Sequence, residues 1–212
     1  MKILGPQKIF LDNLKKIYDL KQEIQNDEVS NFLLEQYKDF ELELYDISLE
    51  KGKLRSSEII NSKLEKNTFT DIEFENCNFS NTSFENCTFI RCEFKNCKLA
   101  GCSFIESRMY NLSFDDCNLS YANFSLASFE NVILYNSIIR NSNFQENKLI
   151  NFVLKNSDLK QAQFFNTSLN KIDLSDSNIE GISISLQDIK GALINEFQAI
   201  DLIGLLGVKI KN

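Results

Sequence analysis

The sequence predicts a solenoid, a rod built from stacked coils, and two observations carry that prediction. First, a large apolar residue falls on every fifth position. The run Phe74, Phe79, Phe84, Phe89, Phe94, Leu99, Phe104 belongs to 31 consecutive hits from Leu44 to Ile194, all Leu, Ile, Phe or Met. A period of five fits neither the helical 3.6 nor the strand period of 2, so it is an internal repeat. Second, reading the chain at a period of twenty sorts the repeat into columns. Two places before each large position sits a smaller residue, and one such column reads Cys77, Cys97, Cys117, Ser137, Ser157, Ser177. The column one side earlier, Ile72, Cys92, Leu112, Val132, Phe152, Ile172, is bulkier. Between them runs Asn76, Asn96, Asp116, Asn136, Asn156, Asp176, a column of turn formers. Four sides of five residues make one coil, with stacked residues about 4.8 Å apart.

Blocks such as Ala122-Asn123-Phe124-Ser125-Leu126 and Ser157-Asp158-Leu159-Lys160-Gln161 resemble the pentapeptide-repeat family, whose unit is a small residue, a polar residue, Leu or Phe, then two variable positions. The resemblance implies an all-β solenoid, the right-handed quadrilateral β-helix, with the large and the small residue of each unit both pointing inward.

Each segment follows from that frame. Residues 1–43 precede the repeat and are expected to form a partly helical cap, with an amphipathic helix from Gln7 to Ile24 after Pro6. Val29 to Phe40 reads either as a second short helix or as an irregular entry into the first coil. Residues 44–194 form the β-helix of about seven coils. Phenylalanine dominates its large positions from Phe69 to Phe129, and Asn67, Asn147 and Gln187 place polar groups in inward positions, where each needs a partner. Residues 195–212 are expected to form a C-terminal module that either caps the last coil or packs on its twin across a two-fold axis. Asn195 caps a helix from Glu196 to Leu206, Gly207 stops it, and Val208-Lys209-Ile210-Lys211 reads as a short strand. Gln198-Ala199 followed by Leu205-Leu206-Gly207-Val208 resembles the terminal segment of bacterial pentapeptide-repeat proteins, where such modules join dimers. Phe197, Ile200, Leu202, Ile203 and Leu206 are the candidate dimerisation residues.

Composition narrows the function. The six cysteines all fall in the inward small position, where a free thiol acts as a small hydrophobe. With no histidine in the chain, neither a metal nor a cofactor is expected. No Ser-His-Asp set, Gly-rich phosphate loop or isolated carboxylate pair stands out, so an enzyme is not expected. There is no run of about 20 apolar residues, and Met1–Pro6 lacks the features of a signal peptide; a cytoplasmic protein without a membrane span is the expectation. The acidic balance disfavours direct nucleic-acid binding.

Function therefore falls to the outward positions. Ile133, Tyr135, Ile138 and Val153 should gather around one corner as an interaction surface. The favoured reading is a non-catalytic interaction or structural scaffold, homodimeric, with an unidentified protein partner. The alternative comes from the resemblance: some family members bind DNA gyrase or a related topoisomerase in quinolone resistance by mimicking DNA. Between Asp71 and Lys190 there are fifteen acidic and ten basic residues, a net charge of −5. A duplex about 29 Å long, the height of those six coils, carries about 17 negative charges. The rod falls well short of that density.

Overall fold

The computed structural model describes residues 13–208. Its strands are short and pair in parallel, each with the strand one coil on. They are β1 (Lys15–Ile17), β2 (Glu28–Ser30), β3 (Phe32–Glu35), β4 (Lys38–Phe40), β5 (Glu43–Tyr45), β6 (Ser48–Arg55), β7 (Glu58–Ile60), β8 (Lys63–Glu65), β9 (Thr68–Glu75), β10 (Thr88–Ile90), β11 (Glu93–Lys95), β12 (Arg108–Asp115), β13 (Ser128–Tyr135) and β14 (Lys148–Lys155). The register is twenty residues throughout the body of the stack: Leu54 lies on Phe74, Phe94 on Phe114, and Leu134 on Leu154. Two adjacent sides form the continuous sheet of β6, β9, β10 with β11, β12, β13 and β14. Beyond β8, the other two sides are stitched by single bridges, for example Asn78 to Lys98 and Ser103 to Asn123.

The corners impose the period. From Asn26 to Lys171 every fifth residue has a positive φ, close to 55° at most of them, and glycine supplies only one of these, Gly101. A left-handed residue costs about 1–2 kcal/mol when it carries an ordinary side chain and less for Asn or Asp, which bond locally. Asparagine accordingly holds Asn61, Asn76, Asn81, Asn86 and Asn96 among many other corners, and no β-branched residue holds any. Most corner N–H groups donate to a carbonyl of the next coil, as Asn76 does to Lys95 at 2.9 Å, whereas those of Asn156 and Asn166 donate to the Asp176 and Asp188 carboxylates.

Inside, the large positions stack ring on ring. Phe84, Phe104, Phe124, Phe144 and Phe164 form one column with centroids 5.1, 4.9, 4.7 and 4.8 Å apart and nearly parallel planes. Neighbouring columns meet edge to face, as Phe74 meets Phe79 at 5.6 Å. The small positions have a second task. Ser137 Oγ accepts from the Cys117 N–H at 3.1 Å in the coil before it, and Ser157 Oγ accepts from the Ser137 N–H at 3.2 Å. Other small positions donate to carbonyls of the coil before them, Ser107 to Phe84 at 2.7 Å and Cys102 to Phe79 at 2.9 Å. Buried hydroxyls and thiols thus satisfy backbone groups inside the bore. Asn67 does both, accepting from the Ile47 N–H at 2.8 Å and donating to the Leu44 carbonyl at 3.1 Å. Asn147 donates to Phe124 and Ala127 but leaves Oδ1 without a hydrogen bond. Gln187 is exposed instead of inward, because Leu186–Ile189 turns into a one-turn helix, α1.

The N-terminal expectation is corrected. The described part of the segment expected as a helix from Gln7 to Ile24 forms strand β1 and a single 3-10 turn, Lys21–Glu23, while residues 7–12 lie outside the described residues. Ile17 aligns with Leu34, seventeen residues on rather than twenty. The first coil is compressed around the 3-10 turn, whose Lys21 and Gln22 N–H groups bond to Asp19 Oδ1. That compression spaces Ile17, Leu20 and Ile24 by three and four residues, which reads locally as a helix face. Val29 and Leu34 are ordinary buried large positions, so Val29–Phe40 belongs to strands β2 to β4 and not to a second helix. The run of large apolars breaks before Leu44 only because Asp39 takes a large position, where its carboxylate accepts from the Tyr37 hydroxyl at 2.9 Å. Gly52, in the small position, lies under Phe32: a Cβ there would sit 2.3 Å from the ring.

Two consequences are measurable by chemical denaturation. Phe104→Ala removes a ring stacked on both sides and should cost about 3–5 kcal/mol, whereas Phe165→Ala, at an exposed outward position, should cost less than about 1 kcal/mol. Leu126 holds a left-handed corner with its side chain half in solvent, so Leu126→Asn should stabilise by roughly 0.5–1 kcal/mol, while Asn86→Val at the same corner two coils earlier should cost about 1–2 kcal/mol.

Candidate interaction surfaces

The groups with intrinsic reactivity point inward. All six cysteines are free and buried. Burial pushes the Cys87, Cys92 and Cys102 thiols up to about 12. Cys97 lies between Cys117 and Cys77, and hydrogen bonding to those two sulfurs, reinforced by burial, pushes its thiol far above the ordinary value. Among the described residues no group of three or more His, Cys, Asp or Glu is arranged to hold a metal ion. No helix among them is long and apolar enough to cross a membrane.

Outward charge is extensively paired. On the sheet, Lys53 meets Glu73 at 2.6 Å, Arg55 meets Glu75 at 2.9 Å and Lys95 meets Glu93 at 3.0 Å. Arg91 grips the buried carboxylate of Asp71 with two bonds of 2.7 Å. Asp71 itself occupies a left-handed corner, and nothing in the sequence around it distinguishes this pair from the exposed ones.

Of the four residues expected to gather around one corner, three share a side. Ile133 of β13 lies on Val153 of β14, and Tyr135 follows two residues on, on the same face. Ile138 lies past the corner residue Asn136, on the next side, between Asn118 and Asp158. Tyr135 and Ile138 are 38% and 41% exposed, while Ile133 and Val153 are half-buried. Next to this strip is a shallow cavity of about 190 Å³, lined by Glu93, Ser113, Phe114, Asp115, Ile133 and Tyr135. It arises because Ser113 is short between Glu93 and Ile133 in one outward column.

The second surface is the C-terminal end. Helix α2 (Glu196–Leu202) opens with Asn195 as cap and runs into a 3-10 turn, Ile203–Leu206, which Gly207 ends in the left-handed conformation. Gln198, read from the sequence only as part of the terminal motif, has a structural role that the motif did not state. Its Oε1 accepts from the Asn195 N–H, and its Nε2 donates to the Leu174 and Ser177 carbonyls at 2.7 and 2.6 Å, plugging the open coil. The signal for it was the Asn195-x-x-Gln198 spacing of a capping box. Leu202 and Leu205 pack half-buried against the core, and Ile203 is half-buried too. Phe197, Ile200 and Leu206 face away, 72%, 56% and 64% exposed, with Leu193 beside them in the chain also exposed. Lys209–Asn212, which include most of the expected final strand, lie outside the described residues.

Comparison with known proteins is consistent with this geometry. Residues 67–144 match a family model described as a pentapeptide repeat region, and residues 148–181 match one described as pentapeptide repeats in eight copies, together more than half of the chain. Among solved structures, a trypsin-treated variant of QnrB1, described as a plasmid-mediated fluoroquinolone resistance protein, is 19% identical. The alignment covers 82% of this chain and 100% of that one, with a TM-score of 0.50. HetL, a pentapeptide repeat protein involved in heterocyst differentiation regulation in the cyanobacterium Nostoc sp. strain PCC 7120, is 14% identical over 77% of this chain and 87% of its own, with a TM-score of 0.34. At these identities the likeness concerns the fold alone. No curated protein matches.

The thiols supply a test of the inward placement. The folded pKa values of Cys87, Cys92 and Cys102 lie above the unfolded value of about 8.5, so the stability these three contribute is complete below that pH and is lost as pH climbs toward about 12. The denaturation midpoint should therefore drop as pH is raised from about 7 to about 10, and a Cys87→Ser, Cys92→Ser, Cys102→Ser variant should show a shallower drop. An equal drop in both proteins would place these thiols outside the bore.

Proposed function

The chain belongs to the pentapeptide-repeat family, and from that footing we propose that it is a non-catalytic interaction scaffold that pairs with a second copy of itself through its C-terminal module. The observation that carries the reading is the division of labour within residues 193–206. Gln198, Leu202 and Leu205 already close the last coil, yet Phe197, Ile200, Leu206 and Leu193 leave an apolar face turned to solvent. A cap needs only the first set. An apolar patch beyond what capping requires is the ordinary mark of an interface, and a two-fold axis lets one patch cover its own copy. The reduced thiols of the bore suit a cytoplasmic setting.

The gyrase-binding alternative needs a dense acidic face. Glu73, Glu75 and Glu93, the acids closest to forming one, are each paired with a cation, so the sheet offers less free negative charge than its acid count suggests. That alternative is separable by experiment: inhibition of gyrase supercoiling at low protein concentration would establish it.

For the assembly, Phe197→Asp and Ile200→Asp each set a carboxylate in the proposed interface while leaving the Gln198 plug untouched. Light scattering after size exclusion should report a dimer for the unaltered chain and a monomer for either variant, with the β-rich circular dichroism unchanged. An unaltered chain that is monomeric at tens of micromolar would leave the module as a cap only.

A further inference from the structure

Two corners carry strain that the fold does not require. Among the described residues, Tyr121 and Leu126 are the only left-handed corners with a large apolar side chain, and they bound the same side of the same coil. They are 68% and 50% exposed, so neither gains burial in return for its backbone conformation. Strain kept without a structural return points to function. Gly101, one coil earlier at the same corner, has no side chain to cover the Tyr121 ring. The side between these corners is uncharged. Its eight outward positions from Ser103 to Phe165 carry no charged group, whereas the same coils place Arg108 and Glu130, Asp115 and Lys155, and Arg140 and Asp158 on the other three sides. Glu106 and Glu146 stand at the margin, in the corner column of Leu126. Phe165, two coils beyond Tyr121 and toward the opposite edge, is exposed as well. Between the two rings Asn123, Asn143 and Gln163 lie in register. Asn123 and Asn143 accept the Ser125 and Gln145 N–H groups on Oδ1 at 3.0 and 2.9 Å, which fixes each amide and leaves its Nδ2 without a hydrogen bond among the described residues.

We propose that this face binds an uncharged polysaccharide, an extended chain of β-1,4-linked pyranose rings laid along the stack. The inference goes beyond the scaffold reading and does not use the C-terminal module. The apolar faces of the sugar rings pack on Tyr121 and Phe165, which two coils of rise set about 10 Å apart along the axis. Between them the amides of Asn123, Asn143 and Gln163 meet the sugar hydroxyls at even steps of about 4.8 Å. A charged ligand finds no counter-charge here. A protein surface needs more room: a five-residue side is at most about 17 Å wide and four coils rise about 19 Å, roughly 300 Å² against about 800 Å² per partner in a stable interface. An extended peptide finds no strand edge, because the backbone of this side is spent between coils, as where the Phe124 N–H donates to the Asn143 carbonyl at 2.7 Å. Straight, evenly spaced rows suit an extended glycan and not the coiled α-1,4 form.

The test uses the full chain, isotope-labelled, titrated with cellohexaose while backbone and side-chain amide resonances are followed. The expected result is saturable shifts centred on Tyr121, Asn123, Asn143 and Gln163, little changed by added salt. Tyr121→Asn should weaken binding about fivefold or more and also raise the denaturation midpoint, because asparagine holds this corner with less strain. A tyrosine kept for structure alone would not give that pair of changes. Phe165→Ala, at an outward position, should also weaken binding, and maltohexaose should bind about tenfold more weakly than cellohexaose. Unchanged binding by Tyr121→Asn, shifts centred elsewhere, equal binding of maltohexaose, or no saturable shift up to about 10 mM overturns the proposal. These outcomes are independent of the dimer: a failed titration on a chain that still dimerises removes the glycan face and leaves the scaffold, whereas a monomeric chain that binds cellohexaose does the reverse.

Discussion

The structure depends on one backbone constraint, a left-handed residue at every fifth position. Turning the chain through a corner after so short a side places φ near +55° where L-residues resist it, and the rod repeats this demand from Asn26 to Lys171. Everything else follows from meeting it economically. Asn and Asp hold most corners because their side chains tolerate the conformation, the corner N–H groups bond to the next coil, and the short sides leave room for one large and one small inward residue each. The phenylalanine columns and the Ser, Thr and Cys ladder then fill the bore that the corners define.

The same constraint explains what was legible in the sequence. The period of five and the column of Asn and Asp are written in residue types, so the architecture from Leu44 to Ile194 could be read directly. The entry could not. Between Ile17 and Leu34 a coil three residues short produces helix-like spacing, and Asp39 hides a large position behind a polar residue whose partner, the Tyr37 hydroxyl, is visible only in three dimensions. The outward columns were half legible. Alternation identified Ile133, Tyr135 and Val153 as neighbours on one side, with Ile138 across the corner at Asn136, but it could not reveal that Asp115 Oδ1 is cut off from water. The role of Gln198 escaped because its partners, the Leu174 and Ser177 carbonyls, belong to the coil before it.

Because the repeat spends its distinctive residues on the bore, the surface is left free to vary. Charged columns are tied into pairs and read as solubility, whereas the apolar C-terminal face and the groove over Ser113 break that pattern. One sits at an end of the stack and the other on a side, so the two surfaces do not compete for area.

The twenty-residue register also sets which changes in length the chain can absorb. Inserting or deleting a whole coil would preserve every column, so the rod could grow or shrink in steps of about 4.8 Å with its ladders intact. A gain or loss of a single residue in the middle would put β-branched or bulky side chains into left-handed corners and large residues outside for every coil that follows. Only a terminal coil escapes, since nothing beyond it must stay in phase. Among the described residues the seventeen-residue coil from Ile17 to Leu34 is the first of the stack, so no earlier described coil has to stay in phase with it.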